Sequence, residues 1–534
     1  MSLQRSVFSQ SILLFLVLLL SLTNLTLPAV AATGTPLREG TGLYPRVLRL
    51  SNGVVVASVV TFEGNRGIAA IYRSTDDGGS FTQIGNIADP AASEGRGLCC
   101  GSLFELSGRV GDLPAGTLLW AASVGQNAPD RRMSLRVWRS PDQGRTWSYL
   151  STCRVAPNTG GLWEPELSVD ASGRLVCHYA DETRGGQHSQ LLARVSSTDG
   201  VTWSAPVDTI ALAVQGERPG MPVVRRMPDR SYSMLYEVCG VPGQFDCAAR
   251  FRTSADGWNW GDARDIGPVV RTQDGGYLAH APTFSWSDNG TARGRLIAVG
   301  QQLRRADGST SPESGRALLV NTEGGHGNWF TIPAPVQVAD PPNNYCPNYS
   351  STLLPSRDGQ RVLEIATDYD GGVCKPYHAT GSAVGTGGAD GLAPGRTYRF
   401  INVHSGHCLD VAADSRLPGG NIQQWTCNNL GPQNFRVDSV APGVFTLTGA
   451  NSGHCVEVTG QSTVAGADVI QWTCNGVPGQ RWRASNVGNG YYTLTNVNSG
   501  QCLDVVAGSQ APGADVAQWH CNRLAPQIWK AEQR

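Results

Sequence analysis

The chain has 534 residues, with 42 Lys and Arg against 43 Asp and Glu, and with 65 glycines, 31 prolines and 14 cysteines. Its length predicts more than one domain, and its near-zero net charge argues against binding to nucleic acid or to an anionic membrane surface. Its cations are almost all arginines, with lysine only at Lys375 and Lys530, so Schiff-base chemistry of a lysine is not expected.

Residues 1–32 have the pattern of a secretory signal. Arg5 supplies a positive start, residues 12–20 an apolar stretch and residues 29–31 a small-residue cleavage site. The apolar run is short for a membrane span, and no later segment is long enough either. We therefore expect a secreted, extracellular protein without membrane contact.

In a secreted chain, 14 cysteines indicate disulfides rather than thiol chemistry. No pair has the CxxC spacing that a structural zinc site uses, and no other pattern indicates a metal or a cofactor. We expect the adjacent Cys99 and Cys100 to have different partners, because a bridge between chain neighbours is strained.

A short motif with a serine, an aspartate, a glycine and an aromatic residue recurs through the first part of the chain. Each copy follows an alternating apolar run, so we expect it in a hairpin turn, where the aspartate accepts turn amides and the ring packs between neighbouring sheets. We therefore predict a structural fastener without a catalytic role. The copies span 74–81, 140–147, 197–203 and 254–260, with a degenerate fifth at 321–329.

A second periodicity consists of six segments, each with a polar or aromatic opening, a short apolar strand and a turn. Strands repeated in this way without long amphipathic helices indicate a β-propeller. We predict a six-bladed propeller over residues 33–380, with functional residues around the axis where the innermost strands begin. The openings lie at 44–46, 98–101, 163–166, 220–222, 281–283 and 348–350.

Residues 381–395 are Gly-rich and predict a flexible linker. After it, cysteines, tryptophans and acidic residues recur together at steps of 47 residues. Three such copies over residues 396–534 resemble a β-trefoil of the ricin B-type lectin class (carbohydrate-binding module family 13), so the predicted fold class is all-β. Equal spacing suggests the disulfide pairs 408–427, 455–474 and 502–521, and QxW-like signatures lie at 423–425, 433–435, 480–482 and 527–529.

The lectin resemblance implies a sugar site in each repeat, where a carboxylate accepts sugar hydroxyls and an aromatic ring 15 residues later covers an apolar sugar face. The alternative is that the rings fill the trefoil core, as we expect for the QxW rings. Aspartate ranks above glutamate here, because the longer side chain changes the reach. The three predicted pairs are Asp410 with Trp425, Glu457 with Trp472 and Asp504 with Trp519.

Sugar sites of this lectin class commonly place an asparagine before the glutamine of the second QxW signature. Pro432, Gly479 and Pro526 stand at that place in the three repeats. This departure argues against galactose as the ligand.

Glycoside hydrolysis needs two carboxyl groups, one as acid and the other as nucleophile or base. Glu164 opens the third predicted blade beside Trp163. Glu237 ends an apolar strand, and a charged residue in such a place indicates a functional role. A surface or salt-bridged glutamate is the alternative for each. Glu166 and Glu182 are weaker candidates.

The propeller pattern together with WEPEL at 163–167, YADET at 179–183, LYEVCG at 235–240 and CPNYSSTLLPSRDG at 346–359 resembles glycoside hydrolase family 93. The resemblance implies an exo-acting, retaining 1,5-α-L-arabinanase that releases arabinobiose from the non-reducing end of linear arabinan. Retention predicts two carboxyl groups about 5 Å apart.

Residue by residue, the same resemblance implies that Glu164 is the acid/base, Glu237 the nucleophile and Tyr349 a tyrosine that hydrogen-bonds and tunes the nucleophile. It also implies four substrate contacts, of which the last is equally well explained as a structural imidazole. These four are Arg46, Glu182, Arg218 and His280.

Two rival functions stay open. A sialidase shares the propeller and its fasteners, but it needs three arginines that bind a carboxylate and a tyrosine nucleophile, for which Arg46 and Tyr349 are candidates. A non-catalytic carbohydrate-binding protein would use both domains as recognition surfaces. The expected partner is arabinan or another plant cell-wall polysaccharide, and the expected state is a monomer.

Overall fold

The computed structural model of the protein describes residues 33–534 except 273, 289–292, 384–391, 393, 442–443, 489 and 523. The predicted signal segment 1–32 lies outside the described residues, as does most of the predicted linker 381–395. Within the described part of the chain, no helix has the length and apolar character to cross a membrane.

Six antiparallel sheets confirm the predicted six-bladed propeller. In the first five blades the innermost strand comes first and its neighbours follow outward in chain order, while the last blade has the N-terminal strand at its outer edge. The first three blades, after an N-terminal strand β1 Thr35–Pro36, are β2 Leu43–Arg49, β3 Val55–Glu63, β4 Arg66–Ser74 and β5 Thr82–Ile87; β6 Leu98–Glu105, β7 Leu118–Val124, β8 Ser134–Ser140 and β9 Ser148–Val155; and β10 Leu162–Val169, β11 Leu175–Asp181, β12 Leu191–Ser197 and β13 Val207–Ile210.

The fourth blade gains a strand from the sequence of the fifth. The fourth sheet has the order β14-β15-β16-β17-β20, so a strand from within the fifth blade's sequence extends its outer edge, while the fifth sheet has the order β18-β19-β21-β22. The strands are β14 Arg218–Arg226, β15 Tyr232–Cys239, β16 Ala248–Ser254, β17 Tyr277–Ala279, β18 Thr283–Ser287, β19 Arg295–Val299, β20 Gln302–Arg304, β21 Ala317–Asn321 and β22 Phe330–Pro333.

The last blade closes the ring. It contains β23 Thr352–Pro355, β24 Arg361–Asp370 and β25 Val373–Ser382, and the N-terminal β1 completes it by pairing Thr35 with His378 and Pro36 with Tyr377. Joining the two ends of the propeller in one sheet leaves few unpaired strand edges.

The recurring aspartate motif lies between the third and fourth strands of a blade and acts as a fastener. In the second copy, Asp142 Oδ1 accepts the backbone N–H of Thr146 at 2.9 Å, and Ser140 Oγ accepts that of Gly144 at 2.8 Å. Trp147 packs against the apolar cluster shared by the first two blades. The motif therefore fixes a turn by hydrogen bonds, and its aromatic ring packs between two neighbouring blades.

Residues 396–534 form a twelve-stranded, trefoil-like sheet. Phe435, Trp482 and Trp529 are fully buried in its core, as predicted for the QxW rings. The ring of the signature at 423–425 is the exception, because Trp425 is 42% exposed. The strands are β26 Arg396–Asn402, β27 Cys408–Val411, β28 Ile422–Trp425, β29 Phe435–Ala441, β30 Val444–Gly449, β31 Cys455–Val458, β32 Val469–Trp472, β33 Trp482–Gly488, β34 Tyr491–Asn496, β35 Cys502–Val505, β36 Val516–Trp519 and β37 Trp529–Gln533.

Short 3-10 turns connect several of these strands. One lies in the propeller and six lie in the trefoil, two in each repeat. Their bounds are Pro90–Ala92, Ala412–Asp414, Gly431–Gln433, Thr459–Gln461, Pro478–Gln480, Val506–Gly508 and Ala525–Gln527.

All 14 cysteines are in disulfides, and the three trefoil pairs are those that the spacing suggested. The expectation for Cys99 and Cys100 was wrong, because they are bonded to each other. The strand is irregular between Cys99 and Ser102, and a bulge breaks the alternation that sends neighbouring side chains to opposite faces. The other propeller pairs are 153–177, 239–247 and 346–374.

Glu364 is a buried carboxyl on the second strand of the last blade, opposite Leu353, and we expect it to make the stability of the propeller depend on pH. It is 1% exposed, its Oε2 accepts the N–H of Val336 at 2.9 Å, and burial raises its pKa from 4.5 to about 8. The folded protein therefore holds this proton more tightly than the unfolded chain does. This contribution favours folding below the unfolded pKa and is lost as pH rises through the folded value, at no more than about 1.4 kcal/mol per pH unit.

We expect Glu364→Gln, which keeps the acceptor but cannot ionise, to raise Tm relative to the wild type by more at pH 8 than at pH 5. Thermal unfolding at both pH values measures this difference. Glu94→Gln is the matched control, because the Glu94 side chain is 78% exposed and should show no such trend. An equal Tm difference at both pH values would show that Glu364 does not titrate on unfolding.

Candidate active site

A residue with a left-handed backbone lies near the start of each innermost strand, between two residues before the strand and its fourth residue. The pairing registers are interrupted at this point in the first four blades. Such bulges re-aim a side chain, so every blade delivers one residue to the same mouth of the propeller. The six residues and their φ values are Tyr44 51°, Cys100 63°, Glu164 51°, Met221 56°, Ala281 46° and Ser350 54°.

The wall between the carboxyl groups is apolar. Tyr44, Cys100, Met221 and Ala281 form one buried cluster, although they come from four different blades. Cys99, Trp163 and Tyr349 pack against it. A site lined in this way disfavours ionised carboxylates.

Glu164 and Glu237 lie in this mouth on adjacent blades, and each accepts a backbone N–H. Met221 donates to Glu164 Oε2 at 3.3 Å, and Ala281 donates to Glu237 Oε2 at 2.8 Å. Both carboxyls flank Gly220, which pairs with Glu237 and whose hypothetical Cβ would lie 3.7 Å from Glu237 Oε1. The structure thus brings the two predicted catalytic residues together.

Burial raises the pKa of both carboxyls. The pKa of Glu164 rises to about 8, mainly through desolvation and then through the neighbouring charge of Glu237. The pKa of Glu237 rises to about 7 through desolvation, opposed by the N–H of Ala281. Two carboxylates this close repel each other when both are ionised, and the higher pKa is that of Glu164, so we expect Glu164 to keep its proton and Glu237 to ionise first.

Tyr349 lies beside both carboxyls. Desolvation raises the pKa of its phenol well above the usual value, and the charges of Glu164 and Glu237 raise it further. The phenol is therefore neutral and can donate a proton in a hydrogen bond. Its hydroxyl donates to Met221 Sδ at 3.9 Å.

Glu182 and Arg218 form an ion pair on the side wall. Arg218 Nη2 donates to Glu182 Oε1 at 2.5 Å and to Gln190 Oε1 at 2.7 Å, while Trp163 Nε1 donates to Glu182 Oε2 at 3.0 Å. The two charges act on the site in opposite directions, because Glu182 raises the pKa of Glu164 and Arg218 lowers that of Glu237.

Arg46 lies deeper than the other predicted contacts. It is 6% exposed, and its guanidinium donates to the carbonyl oxygen and to Oγ of Ser350, both at 3.0 Å. It therefore joins the first blade to the last. Glu166, the weaker carboxyl candidate, is paired with Arg225 at 2.5 Å and lines an axial cavity of about 290 Å³ together with Arg46, so it has a structural partner.

His280 lies at the edge of the mouth. Its backbone N–H donates to Cys247 at 3.0 Å, and burial together with Arg304 lowers the pKa of its imidazole. Its ring nitrogen lies within 4.8 Å of the sulfurs of Cys239 and Cys247. Since those two sulfurs are bonded to each other, this trio does not offer a metal the thiolates it would need.

The predicted trefoil sites keep an acid and an exposed ring on one face of a hairpin. In the first repeat, Cys408 pairs with Trp425 and Asp410 with Gln423, and paired or alternate residues of a hairpin share a face. In all three repeats the carboxylate is fixed by a glutamine: Gln423 donates to Asp410 at 3.0 Å, Gln480 to Glu457 at 2.6 Å and Gln527 to Asp504 at 2.5 Å.

The three predicted trefoil rings are on the surface and not in the core. Trp425, Trp472 and Trp519 are 42%, 41% and 47% exposed. An exposed tryptophan next to a fixed carboxylate is an arrangement that binds a sugar face and its hydroxyls. Glu457 accepts from the QxW glutamine of its repeat, as Asp504 does. The longer side chain of Glu457 is therefore no reason to rank it below the aspartates as a sugar ligand.

Sequence reasoning missed the groups that hold the two carboxyls. Met221 and Ala281 act through backbone N–H groups. Gly220 leaves room for the side chains of Glu237 and Gln190, because a Cβ on residue 220 would lie only 2.5 Å from Gln190 Nε2. A backbone donor has no residue-type signature. The available signal was positional, because both donors lie in the openings at 220–222 and 281–283.

Two groups of known proteins resemble the two parts of the chain. Residues 391–472, 433–519 and 478–534 match the family described as ricin-type beta-trefoil lectin domain-like. The α-L-arabinanase of Penicillium chrysogenum, solved with arabinobiose, is 23% identical with a TM-score of 0.56, over 66% of this chain and 98% of that one. A GH93 α-L-arabinofuranosidase of Fusarium graminearum, also solved with arabinobiose, is 22% identical with a TM-score of 0.55 over the same shares.

A search of curated protein sequences finds no match. At the identities of the two solved structures, the likeness establishes the fold of the propeller. The protein is thus a six-bladed β-propeller with the fold of the Penicillium α-L-arabinanase and the Fusarium GH93 α-L-arabinofuranosidase, followed by a ricin-type β-trefoil lectin domain.

Proposed function

We propose that the protein is a glycoside hydrolase that acts on arabinan, and more specifically a retaining exo-1,5-α-L-arabinanase that releases arabinobiose from the non-reducing end. One observation carries the proposal. Two carboxyls with raised pKa values, Glu164 and Glu237, lie on adjacent blades at the propeller mouth, each held by a backbone N–H. The propeller fold, shared with two proteins solved with arabinobiose, supports the choice of sugar.

In the proposed mechanism, protonated Glu164 donates its proton to the leaving oxygen while ionised Glu237 attacks the anomeric carbon. The C–O bond of the glycoside breaks, and a covalent sugar–Glu237 ester forms. Glu164, now a carboxylate, then removes a proton from water, which attacks the same carbon and returns Glu237 as a carboxylate. Tyr349, Glu182, Arg218 and His280 are the proposed substrate-facing groups around this pair, and Arg46 supports the site from below.

The sialidase alternative is weaker because it needs arginines free to bind a substrate carboxylate. Arg218 is paired with Glu182, and Arg46 is bound to Ser350. A neutral furanoside needs no such arginines. The alternative of a binding protein without catalysis does not explain why two carboxyls of raised pKa lie together.

Product analysis on linear 1,5-arabinan tests the proposal. We expect arabinobiose as the main early product, because an exo enzyme releases one product size from the start. A ladder of longer oligosaccharides would indicate endo action. Hydrolysis of a sialoside with none of arabinan would support the sialidase instead, and no hydrolysis of either would support the binding protein.

The two carboxyls predict a narrow, bell-shaped dependence of kcat/KM on pH. Activity needs Glu237 ionised and Glu164 protonated, so it falls below about 7 as Glu237 gains a proton and above about 8 as Glu164 loses one. Measurement of kcat/KM from pH 5 to 10 on a soluble arabino-oligosaccharide gives both limbs. A flat profile between pH 5 and 6, with ordinary carboxyl pKa values, would contradict this assignment.

The trefoil is proposed to hold the enzyme on polysaccharide outside the cell. Three exposed rings on one domain bind a polymer together more tightly than one ring does. We expect the triple variant Trp425→Ala/Trp472→Ala/Trp519→Ala to lower binding to insoluble arabinan on the order of 10-fold or more, measured as the fraction pelleted with the polymer. Equal binding by wild type and variant would show that these rings are not the platform.

The remaining proposals concern the whole chain. Seven disulfides support an oxidising compartment, in agreement with the proposed signal segment 1–32 and with secretion. We also propose that the catalytic domain spans 33–380, the linker 381–395 and the lectin domain 396–534, and that the protein is a monomer.

A further inference from the structure

Two neighbouring cavities with shared lining residues lie between His280, at the edge of the candidate active site, and the trefoil, and we call them together the path. A cavity of about 650 Å³ begins at His280 and is bounded by Arg304 and Asp307. A second cavity, of about 950 Å³, shares Arg304 and Asp307 and is closed on its far side by Tyr491 and Lys530 of the trefoil. The two volumes together are much larger than one sugar needs, so the path can hold an extended chain.

The path begins at a residue that adjoins a hydrogen-bond donor of the candidate active site. His280 directly precedes Ala281, whose N–H binds Glu237. Tyr277 and Arg304, which are paired across the edge strands β17 and β20 of the fourth blade, line the cavity next to His280. A chain that leaves the mouth past His280 therefore enters this path.

The far end of the path is built by contact between the two domains. Phe330 is on the outer strand of the fifth blade, and Tyr491 is the first residue of β34. Their ring centroids lie 6.1 Å apart. Ile401, Asn402 and Val403 of the trefoil line the same cavity. The cleft thus exists only where propeller and trefoil meet.

The chemistry of the cleft fits a neutral, hydroxyl-rich chain. Three cations and three carboxylates line it, namely Arg304, Arg305, Lys530, Asp274, Asp307 and Glu313. Charges in balance give no net attraction for a polyanion, whereas guanidinium and carboxylate groups both bind hydroxyls. The ring of Tyr491 offers a surface for the apolar face of a sugar.

We propose that this cleft binds the part of the arabinan chain beyond the cleaved bond, so that propeller and trefoil hold one long substrate together. The inference rests on the proposed function and assigns the domain junction to chain-length recognition. It is separate from the three exposed tryptophans, which we assign to attachment on solid polymer. Long soluble substrates should therefore be preferred over short ones.

The test compares kcat/KM on arabinotriose with kcat/KM on a long soluble 1,5-arabino-oligosaccharide. We expect Tyr491→Ala and Arg305→Ala each to lower the long-to-short ratio by about 3- to 10-fold, through a higher KM on the long substrate and with kcat kept. Tyr491→Phe, which retains the ring, should keep most of the preference. Tyr149→Ala, at an exposed ring of the second blade, is the matched control and should leave the ratio unchanged.

The outcomes separate the two proposals. If the wild type does not hydrolyse arabinotriose or linear arabinan, the proposed function fails. If it hydrolyses both substrates with equal kcat/KM, or if the Tyr491 and Arg305 variants keep the wild-type ratio, the cleft inference alone fails. Should Tyr491→Ala not fold, as judged by its Tm, Arg305→Ala decides, because that side chain is exposed.

Discussion

Glu237→Gln is expected to lower kcat on 1,5-arabino-oligosaccharides on the order of 10⁴- to 10⁶-fold. An amide cannot attack the anomeric carbon, so the covalent intermediate does not form. The amide oxygen can still accept the N–H of Ala281, which the carboxylate does at 2.8 Å in the wild type, so the fold and KM should change little. Steady-state kinetics together with Tm separate loss of chemistry from loss of structure.

Glu364→Gln is the control for that experiment. It makes the same substitution at a carboxyl that is also buried and also of raised pKa, but the hydrogen-bond partner of Glu364 is Val336 and not a residue of the strand openings. We expect it to retain wild-type kcat. If Glu237→Gln kept more than about a tenth of the wild-type kcat, the assignment of Glu237 as nucleophile would be wrong.

Glu164→Gln is expected to lower kcat/KM by about 10²- to 10⁴-fold on natural oligosaccharides. The effect should be far smaller for an aryl arabinoside whose leaving group needs no proton, since there the acid contributes little to bond breaking. The alkaline limb of the pH profile should disappear with this variant, because Glu164 is the group that titrates at about 8. Kinetics on the two substrate types across pH measure both effects.

An external nucleophile distinguishes the two carboxyls. With Glu164→Gln and a good leaving group, azide should intercept the intermediate and give a glycosyl azide of retained configuration, as a two-step mechanism requires. With Glu237→Gln, any azide product should have inverted configuration, since azide then attacks the substrate directly. The same configuration from both variants would overturn the assignment of roles.

Much of the architecture was predictable from local patterns. The aspartate motifs and the six openings predicted the blades, because each pattern is complete within one hairpin or one strand start. The step of 47 residues predicted three repeats and their three disulfides, since each bridge closes within a repeat, and the resemblance to ricin B-type lectins implied the trefoil. The candidate carboxyls were also predictable, because Glu164 lies in an opening and Glu237 ends an apolar strand.

Other features depended on contacts that the linear pattern does not contain. Cys99 and Cys100 are bonded to each other at a place where the strand pairing is irregular, and the spacing of cysteines along the chain does not indicate such an irregularity. Trp425 has a QxW-like context, as Trp482 does, yet one is 42% exposed and the other is fully buried. Hairpin pairing decides which ring points inward, and a three-residue signature does not encode it.

By itself, then, the sequence determined the number of blades, the trefoil repeats and which carboxyls were candidates. Each of these features is visible in a short segment of the chain, and the repeats show the same segment pattern several times. Only the tertiary structure decided how the site works. Tyr44, Glu164, Met221, Ala281 and Ser350 meet because each lies with a left-handed backbone near the start of a different innermost strand, at one mouth, and the two backbone N–H groups that hold the carboxyls belong to neighbouring blades. The raised pKa values follow from that meeting, since desolvation is a property of the enclosed site and not of any residue in it.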